Sequence, residues 1–358
     1  MTNTEAEMIN NAEIKVAFFI LKFYLLLSFT FFAKIIKLLH FQKYYFRKML
    51  LEVKNLYFNY QTNQPLFQNL NLNVDEGQII ALAGESGCGK STLLSLIYGL
   101  MDWQSGEIIF EGQKLFGPKG NLVPGESQMK FVAQNYDLMP YATVADNVGK
   151  FISNINLKSK KEKVEELLDI VGLKDYAKVL PKNLSGGQQQ RVAIARALAI
   201  LPKMLLLDEP FSNLDFSRKF ELRDKLFNYV RQNNMSLLIS THNLEEVLPW
   251  ADKIVVLQQG RLIQNDSPKE TYENPYNDYV AKLLGEVNIF SEEEKSEFNL
   301  SKKHYFPHQI KIAENGVEAV VLESLFAGSH YRNKLRINDK PIVVYSQNVL
   351  SGNVFLKF

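Results

Sequence analysis

The chain has 358 residues, enough for one large α/β domain and a smaller second one. Its 46% hydrophobic and 22% charged residues exclude a disordered chain. The net charge of +2 gives no support for a nucleic-acid partner, which demands a strongly basic face, and the single cysteine, Cys88, excludes an intrachain disulfide and favours a reducing compartment.

The first 48 residues form a hydrophobic N-terminal extension. Residues 16–33 are apolar apart from Lys22 and a few hydroxyl groups, and this length can cross a bilayer. Acidic residues precede the stretch and basic residues follow it, so a span here would leave the rest of the chain in the cytoplasm. Three explanations are open: a gene start assigned too early, because Met49 opens a natural domain start; a membrane anchor; or an amphipathic segment lying on a membrane or a partner.

From Met49 onward, strands and helices alternate. Alternation of apolar and polar residues predicts half-buried strands, and short apolar runs predict buried parallel strands. The predicted strands are 51–53, 70–74, 78–83, 129–133, 204–207 and 237–240, and the predicted helices include 92–100 and 161–171. This order predicts the α/β class, with a parallel sheet that is covered by helices on both faces.

The pattern changes after about Glu286. Residues 291–303 are charged and polar, so residues 286–303 are assigned to a linker. The remaining residues, 304–358, contain five short strand-like runs punctuated by Gly and Asn, at 309–312, 317–322, 331–337, 342–345 and 354–356. Such runs predict a small all-β barrel.

A glycine-rich loop at 84–92 follows a predicted strand, opens a predicted helix and fits the pattern G-x-x-x-x-G-K-[ST]. Its glycines let backbone N–H groups wrap around phosphates, and the helix adds the positive end of its dipole. In this pattern Lys90 reaches the β- and γ-phosphates, Ser91 binds Mg²⁺, and Thr92 contacts the α-phosphate side. The loop consists of Gly84, Glu85, Ser86, Gly87, Cys88, Gly89, Lys90, Ser91 and Thr92.

The apolar strand 204–207 ends in two carboxylates, Asp208 and Glu209. We expect Asp208 to join the metal shell and Glu209 to polarise the attacking water. Because the metal lowers the basicity of Asp208, Glu209 is the better general base.

A second glycine-rich helix start lies at 184–188 and reads Leu184-Ser185-Gly186-Gly187-Gln188. One interpretation is a second phosphate contact, because such a helix N-terminus binds anions. The other is an ordinary helix cap, with Ser185 capping a helix that runs to about Ile200.

With these motifs in this order, residues 51–285 resemble the nucleotide-binding subunit of an ABC transporter, and residues 184–188 match that family's signature motif. The resemblance implies an ABC ATPase domain over 49–285, with a helical subdomain at about 135–190 and an antiparallel β subdomain. It also implies that two copies sandwich two ATP molecules with Mg²⁺. Ser185, Gly186, Gly187 and Gln188 of one copy would then contact the ATP held by the phosphate loop of the other.

The resemblance assigns three further residues around the phosphates. Gln134 matches the loop glutamine that senses Mg²⁺ and the attacking water. Asp215, in the segment 212–215, matches the loop that couples the two sites across the dimer. His242 matches the histidine that contacts the γ-phosphate, so Glu209, His242 and Gln134 form the implied catalytic set.

An aromatic residue before the phosphate loop is expected to stack on adenine. Tyr60 matches this position of the family, and Tyr57 and Phe58 are the alternatives. Because stacking tolerates every base, base selectivity should be modest.

Residues 272–285 are similar to the hinge of import-type subunits, which carry a C-terminal barrel of the TOBE type. This implies uptake of a small solute or metal ion, such as iron(III), a polyamine, sulfate, molybdate or a sugar. One alternative is an export-type or lipoprotein-releasing subunit, which normally lacks the barrel. Another is a soluble ABC ATPase that acts on DNA or the ribosome, but the coiled coils or the second ATPase unit of those relatives are missing here.

The import interpretation implies several partners and a location. They are a second copy of the chain, transmembrane permease subunits, and an extracytoplasmic solute-binding protein that acts through the permease, with no nucleic acid. The subunit would lie peripherally at the cytoplasmic face of the membrane. We expect a groove for a permease coupling helix in the segment 135–183, with 136–141 and 143–144 as the contact surface.

Overall fold

The computed structural model describes residues 48–60, 64–133, 136–212 and 216–358, without the side chains of 216–218. Residues 1–47 of the N-terminal extension, including the stretch for which a membrane anchor is one of three explanations, lie outside the described residues, as do Gln134 and Asp215. Within the described part of the chain, no helix is both long and apolar enough to cross a membrane.

Seventeen strands are found among the described residues: β1 (Met49–Phe58), β2 (Phe67–Asp75), β3 (Ile79–Ala83), β4 (Ser105–Phe110), β5 (Gln113–Lys114), β6 (Met129–Val132), β7 (Met204–Asp208), β8 (Ser236–Thr241), β9 (Lys253–Gln258), β10 (Arg261–Asp266), β11 (Asn288–Ile289), β12 (His304–Tyr305), β13 (Lys311–Ala313), β14 (Val317–Phe326), β15 (Tyr331–Ile337), β16 (Lys340–Ser346) and β17 (Asn353–Lys357). The α-helices of the same residues are α1 (Lys90–Ile97), α2 (Val144–Gly149), α3 (Leu157–Ile170), α4 (Gly186–Leu198), α5 (Phe216–Gln232), α6 (Pro268–Glu273), α7 (Asp278–Leu283) and α8 (Glu292–Glu297). Short 3₁₀ turns lie at Lys174–Tyr176, Pro181–Asn183, Leu244–Glu246 and Pro307–Gln309.

The central sheet has the strand order β10-β9-β3-β8-β7-β6 and is parallel except for β10. Every residue of β3, β7 and β8 is buried, which explains why these strands are continuous apolar runs rather than alternating ones. Parallel strands bring their carboxyl ends to one edge of the sheet. The segments that follow β3, β7 and β8 therefore meet, although they are far apart in the chain.

A four-stranded antiparallel sheet, β2-β1-β4-β5, covers one side of the central sheet. Helix α1 packs into the core between them, with Leu93 and Leu94 buried, and each such side chain stabilises the fold by about 1.5–3 kcal/mol. Helices α2 to α5 belong to a second core on the opposite side of the central sheet, so the parallel strands are covered on both faces, as predicted.

The helical region is organised around a buried amide. Helix α2 begins with a capping box between Thr143 and Asp146. Asn147, fully buried one residue further on, accepts a hydrogen bond from the Met139 amide and donates to the carbonyl groups of Met139, Ala142 and Thr143. These bonds fix the loop that leads into α2.

The C-terminal β domain is a curled five-stranded antiparallel sheet with the order β13-β17-β14-β15-β16. Strand β15 matches its predicted run, β16 and β17 extend theirs at both ends, and β14 extends its run at the C-terminal end only. The run predicted at 309–312 is wrong at its start, because Pro307–Gln309 forms a 3₁₀ turn and β13 begins at Lys311. Residues 286–303 differ from the linker expected there, because they contain β11, which pairs with β12, and α8, which has its own capping box. Phe290 and Leu300 are buried in the core of the β domain, while the charged residues between them are exposed or half-buried.

Candidate functional site

The loop between β3 and α1 closes around the ammonium group of Lys90. The Lys90 side chain is buried, and its Nζ donates to the carbonyl groups of Gly84 at 2.7 Å and Glu85 at 3.0 Å. Gly84 has a φ of +153°, and a Cβ placed there would lie 2.4 Å from the Leu257 carbonyl oxygen, so no other residue fits. The loop therefore holds a positive charge in its centre, ready for an anion.

A hydroxyl and a carboxylate meet at the start of α1. The Ser91 Oγ donates to Asp208 Oδ1 at 3.0 Å, and Asp208 is buried at the end of β7. Mg²⁺ takes hard oxygen ligands and usually keeps water molecules and substrate phosphate oxygens beside one or two protein groups. Ser91 and Asp208 are suited to this use, because both present oxygen atoms next to the phosphate-binding loop.

The backbone of Glu209 is held in an unusual conformation. Its φ of +45° lies in the left-handed region, which costs a non-glycine residue about 1–3 kcal/mol. Its N–H group donates to Ser240 Oγ at 2.9 Å, and its carbonyl oxygen accepts from Gln190 Nε2 at 3.1 Å and Ser212 Oγ at 3.0 Å. Contacts from β8, from α4 and from the following turn thus fix the backbone of Glu209.

The Glu209 carboxylate lies between two groups of the site. Its Oε1 is 3.9 Å from Lys90 Nζ, and its Oε2 is 3.2 Å from His242 Nδ1. Its side chain is 18% exposed and that of His242 is 55% exposed, so both groups face the open side of the loop. A water molecule near the phosphate-binding loop could therefore reach this carboxylate.

The N-terminus of α4 is capped by side chains and is also exposed to solvent. Ser185 and Gln188 form a capping box, in which the Ser185 amide donates to Gln188 Oε1 at 2.9 Å and Ser185 Oγ accepts from the Gln188 amide at 3.3 Å. The ordinary cap is thus present. Ser185 and Gly186 are nevertheless exposed, and a Cβ at Gly186 would meet no atom within 4 Å, so this helix end is accessible to a ligand.

Of the three aromatic candidates for stacking on adenine, Tyr60 is the exposed one. It is 51% exposed, and its hydroxyl group hydrogen-bonds Thr92 Oγ1 at 2.7 Å, at the edge of the phosphate-binding loop. Phe58 is buried in the core and touches Tyr60 edge-on, while Tyr57 is half-buried.

Two residues of the site were not predicted from the sequence. Ser240 Oγ donates to Asp208 Oδ1 at 2.6 Å while it accepts from the Glu209 amide, so a single buried hydroxyl group orients both acidic residues. Gln190 links the signature helix α4 to Glu209. The parallel register that places Ser240 beside Asp208 was the missing signal, because the sequence does not display it.

The sheet order, the phosphate-binding loop after β3 and the acidic pair after β7 define a P-loop ATPase of the ABC type. A family model for ABC transporters matches residues 67–212. The chain is 35% identical over 322 residues to the spermidine/putrescine import ATP-binding protein PotA of Borreliella afzelii (strain PKo), covering 83% of this chain and 92% of that protein. It is 39% identical over 277 residues to the sulfate/thiosulfate import ATP-binding protein CysA of Pseudomonas syringae pv. tomato, covering 75% and 82%.

Solved structures of ABC cassettes share this fold. The cbiO1 protein of Clostridium perfringens, part of the ABC transporter complex cbiONQ, has a TM-score of 0.55 at 28% identity and covers 64% of this chain and 92% of its own. The ATP-binding cassette MJ0796, in a dimeric post-hydrolysis state with ADP and Pi, also has a TM-score of 0.55 at 28% identity and covers 61% and 99%. The chain belongs to the ATP-binding subunits of import-type ABC transporters. This confirms the predicted fold class, ATPase activity and import function.

Proposed function

We propose that this chain hydrolyses Mg-ATP at sites completed by a second copy of itself and thereby drives a permease that imports a small solute or ion. The observation that carries the proposal is the convergence of Lys90, Asp208, Glu209 and His242 at the carboxyl edge of the central sheet. We divide the described chain into an ATPase domain, 49–285, and a TOBE-like β domain that begins near Glu286.

The chemistry follows from the positions of these groups. On nucleotide binding, Lys90 Nζ exchanges the carbonyl groups of Gly84 and Glu85 for phosphate oxygens. Ser91 and Asp208 would hold Mg²⁺, which would neutralise phosphate charge. The fixed carboxylate of Glu209 orients water for attack on the γ-phosphate and accepts its proton. His242 adds a donor to the γ-phosphate.

We assign the remaining residues of the site by the same logic. Tyr60 stacks on adenine, and Gln134, which matches the loop glutamine of the family, would contact Mg²⁺ and the attacking water. Asp215 would couple the two sites across the dimer. Ser185 and Gly187, at the start of α4, would bind the ATP of the partner copy through this helix N-terminus, where Ser185 is exposed and Gly187 is buried. The dimeric cassette MJ0796 supports this pairing.

A groove of about 430 Å³ supports a permease contact. Its wall includes the exposed side chains of Leu100 and Phe151 together with Tyr136 and Asp137 of the predicted contact surface. Arg196 donates to the carbonyl groups of Tyr136 and Asp137 at 2.8 and 2.7 Å, which fixes this wall. An amphipathic coupling helix of a permease fits such a groove.

The location and the remaining partners follow from this docking. We place the subunit at the cytoplasmic face of the membrane, peripherally, with a solute-binding protein acting from the other side of the permease. The relatives include importers of polyamines and of sulfate at 35% and 39% identity, so similarity does not distinguish the solute. No nucleic acid is part of this function.

The test is ATP hydrolysis by the purified chain and its Glu209→Gln variant. We expect the variant to bind ATP normally but to hydrolyse it about 10²–10⁴-fold more slowly, because the positioned base is lost. Glu245→Gln is the matched control, since Glu245 is exposed and lies outside the site. Hydrolysis by Glu209→Gln at the wild-type rate would refute the assignment.

A further inference from the structure

The phosphate-binding loop has a hydrogen-bond partner from a distant part of the chain. The hydroxyl group of Tyr279, on α7, accepts from the Glu85 amide at 2.9 Å and donates to the Leu257 carbonyl oxygen at 3.1 Å. Burial raises the pKa of the Tyr279 phenol above its ordinary value, so the hydroxyl group keeps its proton at neutral pH and can make both bonds.

The Tyr279 hydroxyl group and Lys90 together hold the first turn of the phosphate-binding loop in place. The carbonyl groups of Gly84 and Glu85 already bind Lys90, and the Glu85 amide between them binds Tyr279. The other end of the loop is attached to the β9–β10 turn, where the Gly260 amide donates to the Cys88 carbonyl oxygen at 3.0 Å. The first turn thus depends on a residue outside the ATPase motifs, and phosphate affinity depends on the shape of that turn.

The helix that carries Tyr279 also contacts the C-terminal β domain. Asp278 Oδ1, one residue before Tyr279, hydrogen-bonds His304 Nε2 of β12 at 2.8 Å. Val280 and Ala281, the next two residues, are fully buried. Helix α7 is therefore seated firmly against the rest of the chain, and a shift of β12 would be passed to the Tyr279 side chain.

We propose that Tyr279 is a positioning residue for the phosphate-binding loop, and that α7 couples this loop to the C-terminal β domain through the Asp278–His304 contact. A rearrangement of the β domain would change nucleotide affinity without touching the groups that perform hydrolysis. The inference deepens the proposed ATPase function and rests on it.

The first test compares Tyr279→Phe with Tyr276→Phe. Tyr276 lies three residues earlier, is 72% exposed and makes its hydrogen bond to Gln264 through its backbone amide. We expect Tyr279→Phe to raise the Kd for Mg-ADP and the KM for ATP about threefold to tenfold, the worth of one hydrogen bond, with kcat within about twofold of wild type. Titration calorimetry with Mg-ADP and steady-state ATPase assays measure these values.

The second test is a double-mutant cycle with His304→Ala. We expect His304→Ala alone to raise the Kd for Mg-ADP about twofold to threefold, with no further rise in the Tyr279→Phe background. Asp278→Ala should give the same shift as His304→Ala, because it breaks the same contact from the other side.

The results of these tests distinguish the positioning role of Tyr279, the coupling through α7 and the proposed ATPase function. If Tyr279→Phe binds Mg-ADP as Tyr276→Phe does, the positioning role is overturned. If the effects of His304→Ala and Tyr279→Phe multiply, the coupling through α7 is overturned. If the wild-type chain fails to hydrolyse ATP, the proposed function fails, and the Mg-ADP titration still decides on Tyr279.

Discussion

The hydroxyl group of Ser240 offers a sharp test of how the acidic residues are organised. It lies fully buried near the end of β8, donates to Asp208 and accepts from the backbone amide of Glu209. Ser240→Ala removes both bonds at once and adds no bulk. Glu209 keeps its left-handed backbone but loses the bond that holds its amide group.

The free energy that Ser240→Ala removes follows from these two hydrogen bonds. A hydrogen bond to a charged carboxylate contributes about 1.5–3 kcal/mol and one to a backbone amide about 0.5–1.5 kcal/mol, so about 2–4.5 kcal/mol is lost at the site. Part of this lowers the free energy of unfolding. If about half raises the barrier to hydrolysis, kcat falls roughly tenfold, because each 1.4 kcal/mol changes a rate by that factor.

Ser236→Ala is the matched control on the same strand. Ser236 is equally buried four residues earlier, and its Oγ accepts from the Gly77 amide at 2.8 Å and donates to the Asp75 carbonyl oxygen at 3.2 Å. Both variants should unfold at lower urea concentration, but only Ser240→Ala should lower kcat. A Ser240→Ala chain with the kcat of Ser236→Ala would refute the claim that Ser240 organises the site.

Two further predictions concern Gln190 on the signature helix α4 and the stacking of Tyr272 on Phe306. Gln190→Leu removes the bond from α4 to the Glu209 carbonyl oxygen, so kcat should fall about threefold to tenfold while the Kd for Mg-ADP stays unchanged, which ATPase assays and calorimetry measure. Tyr272 stacks on Phe306 at 4.3 Å, and burial, with smaller contributions from Glu245 and Tyr345, raises its phenol pKa from 10.0 to about 12. The folded chain therefore keeps this proton longer than the unfolded chain, so the free energy of unfolding should decrease as pH rises from 10.0 toward about 12. Tyr272→Phe should make this decrease smaller, because the burial-raised phenols of Tyr98, Tyr279 and Tyr345 still contribute to it, and should remove one late-titrating phenol from the ultraviolet titration.

The sequence predicted most strands because burial leaves a direct trace in the residue pattern. Strand β15 alternates buried and exposed residues and was predicted at its observed bounds. Strand β1 was predicted as 51–53 only, yet it runs from Met49 to Phe58. The prediction stopped short because Asn55 adopts a φ of +49° and the register of pairing with β2 shifts there. A local bulge of this kind breaks the alternation on which the prediction depends.

The site was predictable where one segment supplies the chemistry and hidden where distant segments meet. Lys90 and Asp208 stand in recognisable local patterns. Ser240 sits in an apolar run, and its importance depends on the register between β7 and β8. Tyr279 lies 194 residues from its partner Glu85, so only the folded chain shows that contact. The many charged residues of 286–303 predict a linker, but two apolar residues among them, Phe290 and Leu300, are buried in the core of the β domain.

We expect each catalytic site to require two copies of the chain. Light scattering of the Glu209→Gln variant with Mg-ATP tests this most directly, because slow hydrolysis preserves the ATP-bound state. We expect the molar mass to double with Mg-ATP and to stay at that of one chain with Mg-ADP. A variant that binds Mg-ATP and keeps the mass of a single chain would contradict it.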